Sequence, residues 1–278
     1  MHGAALAELA RADRGYADWS YCAVDAEPEA LAEALAVMHR LGFRGVNLTV
    51  PHKVLAVALV SEIDPAAAEA GAVNTLVRQG SGWKGYNTDG YGLASGIRED
   101  LGLALRNQNI LLLGAGGAAR GAALECIRSG CASLRVMNRS RENLDSLLAQ
   151  VLPFASGIPV SGMGPGDART AIPEGPLVIN ATSLGLKPGD GLPADLARLP
   201  PVSAVYDMIY NPAETALLAQ ARSMGVPAAN GLGMLVHQGA KALEIWSGVP
   251  AARTSGVMRS AAAKALGSGG AGDSVSRT

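Results

Sequence analysis

The 278-residue chain lacks the marks of a secreted, metal-bound, membrane-spanning or nucleic-acid-binding protein. Its three cysteines, Cys22, Cys126 and Cys131, are odd in number and match no ligand spacing. That argues against a disulfide framework and leaves them as small apolar side chains in a reducing compartment. The four histidines, His2, His39, His52 and His237, are scattered, so no metal is expected. Excess charge is missing too: 23 basic residues face 24 acidic ones, which gives no surface for nucleic acid and points to a small-molecule partner. No stretch approaches the roughly 18 uninterrupted apolar residues that a membrane span needs. No basic-then-apolar leader opens the chain, and the expected location is the cytoplasm.

What is present is an alternation of strand-like and helix-like segments over almost the whole length, the pattern of an α/β protein with a largely parallel sheet. At 278 residues, one large α/β unit or two domains are both compatible. Strands are expected at 19–24 and 43–50, with a helix between them that opens at Pro28 and stops at Gly42. Residues 73–78 and 83–86, separated by Gln79-Gly-Ser-Gly82, read as a hairpin. After a helix at about 90–102, strands are expected at 110–113, 134–137, 177–181 and 202–207, then long helices at 233–246 and 251–266. Residues 267–278 lack apolar anchors and are expected to be a disordered tail.

Three segments carry chemistry. The apolar run 109–113 leads directly into Gly114-Ala115-Gly116-Gly117-Ala118-Ala119, which opens a helix; strand, G-x-G-x-x-A turn and helix together make a dinucleotide loop. Gly114 permits the tight turn, Gly116 lets the backbone approach a pyrophosphate, and Ala119 keeps helix and strand close. An ordinary glycine-rich βα turn is the alternative. The next strand ends in Asn138-Arg139-Ser140 and has no acidic residue to meet a ribose 2′-hydroxyl. A guanidinium there suits a 2′-phosphate, so NADP is favoured over NAD, unless Arg139 is simply solvated. Third, Asn47-Leu-Thr-Val-Pro-His-Lys53 presents a lysine just after a strand and a proline, and Asp89 lies in the Asn-Thr-Asp-Gly turn. Hydride transfer to a ketone leaves charge on oxygen, which Lys53 could meet with a proton while Asp89 holds its ammonium. The plainer readings are a surface lysine and a helix N-cap.

These segments and others resemble the shikimate dehydrogenase family. The matching stretches are NLTVPHK at 47–53, GAVNTL at 71–76, GYNTDG at 85–90 and LLLGAGGAARG at 111–121, then NRS at 138–140, INATSLGL at 179–186, YDMIYNP at 206–212 and NGLGMLVHQGA at 230–240. They run in the family's order over most of the chain. The resemblance implies a Rossmann NADP-binding domain plus an α/β substrate domain, with the active site in the interdomain cleft. The substrate domain would comprise 1–92 and 232–266, and the Rossmann domain 93–231.

The implied activity is the reversible NADPH-dependent reduction of 3-dehydroshikimate to shikimate in chorismate and aromatic amino-acid biosynthesis. The implied catalytic pair is Lys53 and Asp89, which also contact substrate together with Thr49, Asn74, Tyr210 and Gln238. Asn87 and Thr88 would shape the same turn. Gly114, Ala115, Gly116, Gly117, Ala118, Asn138, Arg139, Ser140, Met208 and Gly231 would hold the cofactor, with residues 180–183 nearby. Either a monomer or a homodimer is compatible with this reading.

One departure stands out. The family opens with an apolar strand and a Ser-x-Ser segment that grips the substrate carboxylate, and neither precedes Met1-His2-Gly3. The expectation is therefore that Met1 is an internal methionine. The rival readings are a quinate/shikimate dehydrogenase using NAD or NADP, and a noncatalytic ligand-binding relative.

Overall fold

The computed structural model describes residues 1–167 and 172–268. The chain begins with helix α1 (His2–Ala12), whose buried Ala5, Leu6 and Leu9 recur at helical spacing. Helix α2 (Leu31–Arg40) buries Leu31 and Leu35. Strand β1 (Gly45–Asn47) leads through a cis Val50–Pro51 bond to the short helix α3 (His52–Leu55), and then to β2 (Glu62–Ile63). Helix α4 (Pro65–Ala70) starts with proline at its first position and an Asp64 carboxylate accepting the Ala66 N–H, and ends at Gly71 with φ +61. Such an end needs a residue without Cβ strain. Strands β3 (Thr75–Gln79) and β4 (Gly82–Tyr86) form the expected hairpin. The resulting sheet has the order β1-β3-β4-β2, with only the β2–β4 pair parallel.

Helix α5 (Asp89–Leu101) leads to the second sheet. This contains β5 (Asn109–Leu113), β6 (Ser133–Met137), β7 (Val160–Met163), β8 (Leu177–Asn180), β9 (Ala204–Asp207) and β10 (Ala228–Asn230). All six are parallel, in the order β10-β9-β8-β5-β6-β7. Helices α6 (Gly117–Arg128), α7 (Arg141–Val151) and α8 (Ala216–Ser223) cross over between strands. Alternate residues of β5 serve opposite faces: Ile110 and Leu112 join the core that includes α6, while Leu111 and Leu113 join the one that includes α8. The strand order reverses at β5, between β6 and β8, and in open parallel sheets the crevice beyond the strand ends at such a point receives the ligand.

Helix α9 (Leu232–Ser247) returns to the first sheet, where Trp246 Nε1 donates to Leu76 O at 2.8 Å. Helix α10 (Ser255–Ser268) packs on α9 and α1. It carries the fold two residues into the expected tail, and 269–278 lie outside the described residues. No helix among the described residues is long and apolar enough to cross a membrane. Cys126 and Cys131 are buried as expected, whereas Cys22 is exposed.

The expected strand at 19–24 is not formed. Backbone bonds from Arg78 N to Arg44 O and from Leu48 N to Asn74 O turn alternate residues of β1 towards β3. Gly45 and Asn47 therefore point their backbone groups outward. A groove of about 1100 Å³ follows that edge, lined on one side by 19–28 and on the other by β1. Side chains bridge it: Tyr21 Oη donates to Asn47 Oδ1 at 3.2 Å, Arg44 lies 4.5 Å from the Trp19 ring, and His52 Nε2 lies 2.9 Å from Ala26 O. The apolar pattern of 19–24 fits a strand, but among the described residues no backbone pairs with it in a sheet.

His2 shows how tightly α1 is seated. Its ring stacks on Tyr21 at 4.2 Å and meets Gly239 O at 3.2 Å, and burial lowers its pKa to about 4. A histidine with a depressed folded pKa is neutral in the fold and charged in the unfolded chain between about pH 4 and 6.5. Stability therefore falls as pH drops through that window, by about 3 kcal/mol at pH 4. Urea midpoints measured from pH 7 to 4 should show this slope, and His2→Phe should flatten it.

Candidate active site

The NLTVPHK segment lies where β1 ends and α3 begins. Lys53 N donates to Thr49 O at 3.3 Å and Lys53 O accepts from Val73 N at 2.8 Å, so the lysine backbone is tied to the loop between α4 and β3. Asp89 opens α5 at the far end of the hairpin. The fold brings the two together: Lys53 Nζ lies 2.7 Å from Asp89 Oδ2, each side chain about one-quarter exposed. The helix N-terminus behind Asp89 favours its negative charge. Asp89 is not an N-cap, because Thr88 occupies that position and Asp89 N donates to Asn87 Oδ1 at 3.0 Å. Its carboxylate is turned to the lysine instead.

Asn74 anchors this arrangement. It is 2% exposed, and its Nδ2 donates to Asp89 Oδ1 at 2.8 Å and Thr88 Oγ1 at 3.0 Å, while its Oδ1 accepts from Thr88 N at 2.9 Å. Asn87 Nδ2 donates to Ala72 O at 2.9 Å and closes the turn. The resemblance implies a substrate contact for Asn74; in the structure both of its N–H donors are directed at the chain's own oxygens. Thr49 is exposed, with no side-chain partner among the described residues. Tyr210 is 37% exposed after β9. Gln238 lies where α9 crosses α5: a Cβ on Gly92 would come within 2.9 Å of Gln238 Cβ, and Gln238 Nε2 donates to Leu235 O at 3.0 Å. Gly92 is three residues past Asp89, so α9 passes close to the start of α5.

The dinucleotide loop follows β5. Gly114 has φ +107, and a Cβ there would lie 3.1 Å from Ala181 O, so both conformation and space demand glycine. Gly116, Gly117 and Ala118 are exposed, and a Cβ on either glycine would meet open space. No side chain caps α6, which leaves its first N–H groups free to receive an anion. Gly114→Ala should cost about 1 to 3 kcal/mol of stability and weaken nucleotide binding, as read from denaturant midpoints and a nucleotide titration.

At the end of β6, Asn138 Nδ2 donates to Ser140 O at 2.9 Å, and Ser140 Oγ caps α7 by accepting from Asn143 N. Arg139 between them is exposed and pairs with no carboxylate among the described residues.

Sequence reasoning missed the support behind the opposite wall. Asp207 is fully buried, accepting from Thr215 Oγ1 at 2.6 Å, Asn180 Nδ2 at 2.9 Å and Ile209 N at 3.1 Å. Burial raises its carboxyl above the ordinary value, against the pull of these three donors. The cluster ties the end of β8 to the loop carrying Met208 and Tyr210, so Asn180 serves the fold. Gly231 is constrained as well: a Cβ there would sit 2.1 Å from Met208 O. An aspartate and a threonine eight residues apart around YDMIYNP were the only available signal.

Comparison with known proteins shows the family. Residues 5–76 match the shikimate dehydrogenase substrate binding domain and residues 231–262 the shikimate 5′-dehydrogenase C-terminal domain. A shikimate dehydrogenase (NADP(+)) from Symbiobacterium thermophilum is 42% identical over 88% of this chain and 84% of its own. Among solved structures, a shikimate dehydrogenase in complex with NADP+ superposes with a TM-score of 0.81 at 32% identity, over 95% of this chain and 91% of the other. The ligand-free 5-ketofructose reductase of Gluconobacter sp. strain CHM43 gives 0.79 at 29% identity, over 93% of both chains. An identity of 42% across nearly nine-tenths of the chain, added to two matched family domains, makes this protein an oxidoreductase that belongs to the shikimate dehydrogenase family.

Proposed function

We propose that the chain catalyses the reversible, NADP-dependent interconversion of shikimate and 3-dehydroshikimate, in the cytoplasm and as a step of chorismate and aromatic amino-acid biosynthesis. The observation that carries this reading is the 2.7 Å Lys53–Asp89 pair, held by Asn74. On this reading the active site would lie in a cleft between a substrate-binding part, formed by 1–92 with the C-terminal helices, and a Rossmann part spanning 93–231.

The residues present fit NADP. The open Gly116–Gly117 backbone and the uncapped α6 would receive the pyrophosphate, and the Arg139 guanidinium, without a carboxylate partner among the described residues, would take the 2′-phosphate with charge-assisted bonds. Met208 and Gly231, packed backbone to backbone, would border the nicotinamide. When bound, the reduced cofactor supplies the hydride.

The chain's own task is the proton. As alkoxide charge develops on the substrate oxygen, Lys53 donates a proton from its ammonium; in the oxidative direction its amine accepts one. Asp89 holds the lysine in place and stabilises its charge, and Asn74 fixes Asp89. Thr49, Tyr210 and Gln238 would meet the hydroxyl and carboxylate groups of a ring that carries three of the former and one of the latter.

A comparison of initial rates with shikimate, quinate, 3-dehydroshikimate and 5-ketofructose, each with NADP+/NADPH and NAD+/NADH, tests the reading. The expected preference is shikimate with NADP+. The likeness to a 5-ketofructose reductase supplies the rival, and faster reduction of 5-ketofructose than of 3-dehydroshikimate would favour it.

A further inference from the structure

Helix α6 reaches beyond the nucleotide. Arg120 lies in its first turn, with Arg120 N donating to Gly116 O at 2.9 Å, so its backbone is part of the dinucleotide loop. Its side chain runs the other way, to α4. Arg120 Nη2 donates to Glu69 O at 2.9 Å, at the C-terminal end of α4. A cation there meets carbonyls that have no intrahelical partner. The guanidinium also closes on Gly71: a Cβ at that position would come 3.0 Å from Nη1 and 3.2 Å from Nη2. Arg120 Nε is buried and has no hydrogen-bond partner, so the side chain is held in a desolvated position by the contact with α4.

The loop that follows Gly71 carries the substrate-side cluster. Val73 N bonds Lys53 O, and Asn74 bonds Asp89. The contact at Glu69–Gly71 therefore joins the nucleotide loop to the catalytic pair through a short, hydrogen-bonded stretch of chain.

We propose that Arg120 is a positioning residue that sets the 71–74 loop in register with the dinucleotide loop, so that nucleotide and substrate each bind more tightly when the other is present. The inference rests on the function proposed above. A nucleotide that orders the first turn of α6 orders Arg120, and through it the loop behind Lys53 and Asp89. By linkage the effect is reciprocal, so it can be read from either ligand. A second bridge, Arg128 Nη2 to the Glu69 carboxylate at 2.5 Å, is partly exposed and contributes little.

The test is calorimetric titration of NADPH, which cannot oxidise shikimate, with and without saturating shikimate, in the wild-type chain, Arg120→Ala, Arg120→Lys and Arg128→Ala, alongside steady-state kinetics. In the wild type, shikimate should tighten NADPH by about tenfold, within the usual range for coupled sites. Arg120→Ala should reduce that ratio to about one and raise the KM for shikimate by about tenfold, the effect of one lost interaction, while NADPH binding alone stays within about twofold. Arg120→Lys should restore part of the ratio, since an ammonium can still reach Glu69 O but has no second nitrogen to hold against Gly71. Arg128→Ala should keep the wild-type ratio.

A wild-type ratio of one would overturn the inference, as would a wild-type ratio retained in Arg120→Ala. If the alanine variant does not fold, Arg120→Lys decides alone: no change in its ratio contradicts the proposal. A wild-type enzyme that turns over shikimate while failing this test refutes the coupling only, whereas absence of turnover refutes the function itself.

Discussion

Replacing Lys53 with alanine lowers kcat for shikimate oxidation by about 10² to 10⁴, the range for loss of a positioned general acid or base. The variant should remain folded. Lys53 is held by its backbone bonds to Thr49 and Val73, which the substitution leaves intact, and the lost ion pair is partly exposed. Such pairs contribute at most about 1 kcal/mol to stability. Asp89 keeps its bond from Asn74, so the site stays in shape and substrate binding weakens much less than turnover. Steady-state kinetics beside a denaturant melt separate the two effects. A variant with wild-type kcat would remove Lys53 from the proton transfer, and one that is merely unstable would make it a structural residue.

Replacing Arg139 with alanine should raise the KM for NADP+ by roughly 10- to 100-fold, the loss of one or two charge-assisted bonds to a phosphate. The KM for NAD+, which has no 2′-phosphate, should hardly move. The side chain is exposed and unpaired among the described residues, so it is free to meet a ligand, and its removal disturbs no internal contact. Arg141 is turned to Asp145, its Nε 3.0 Å from the carboxylate. Equal effects on both cofactors would mean that Arg139 acts on the loop and not on the phosphate. No change with either would return it to the solvated surface.

The parts of the fold legible in the sequence were those with strong periodicity or a punctuating turn. The hairpin of β3 and β4, the strands β5, β6, β8 and β9, and α5 and α9 all fall close to where apolar patterning places them. Strands β2, β7 and β10 were not foreseen. Glu62–Ile63 and Ala228–Asn230 are two and three residues long, and Val160–Met163 contains serine and glycine, so none has a pattern to read. Residues 19–24 failed in the opposite sense: the apolar pattern is there but the partner backbone is not, and pairing is a tertiary fact.

At the site, the sequence supplied the residue types and the geometry supplied their relations. Lys53 and Asp89 were paired on chemical grounds although 36 positions separate them, and the fold puts them in contact. Asn74 reads as a simple turn or substrate contact until its two donors are seen directed at Thr88 and Asp89. Asp207 and Arg120 were invisible as such. A buried carboxylate and a guanidinium laid against a glycine are defined by what packs on them, and no local pattern encodes that.

The most direct measurement is the initial rate of NADPH formation from shikimate and NADP+ by the wild-type chain, with Lys53→Ala run in parallel. The account predicts steady shikimate-dependent turnover in the wild type and a rate lower by about two to four orders of magnitude in the variant. A wild-type chain that binds NADP+ and shikimate yet forms no NADPH would contradict it.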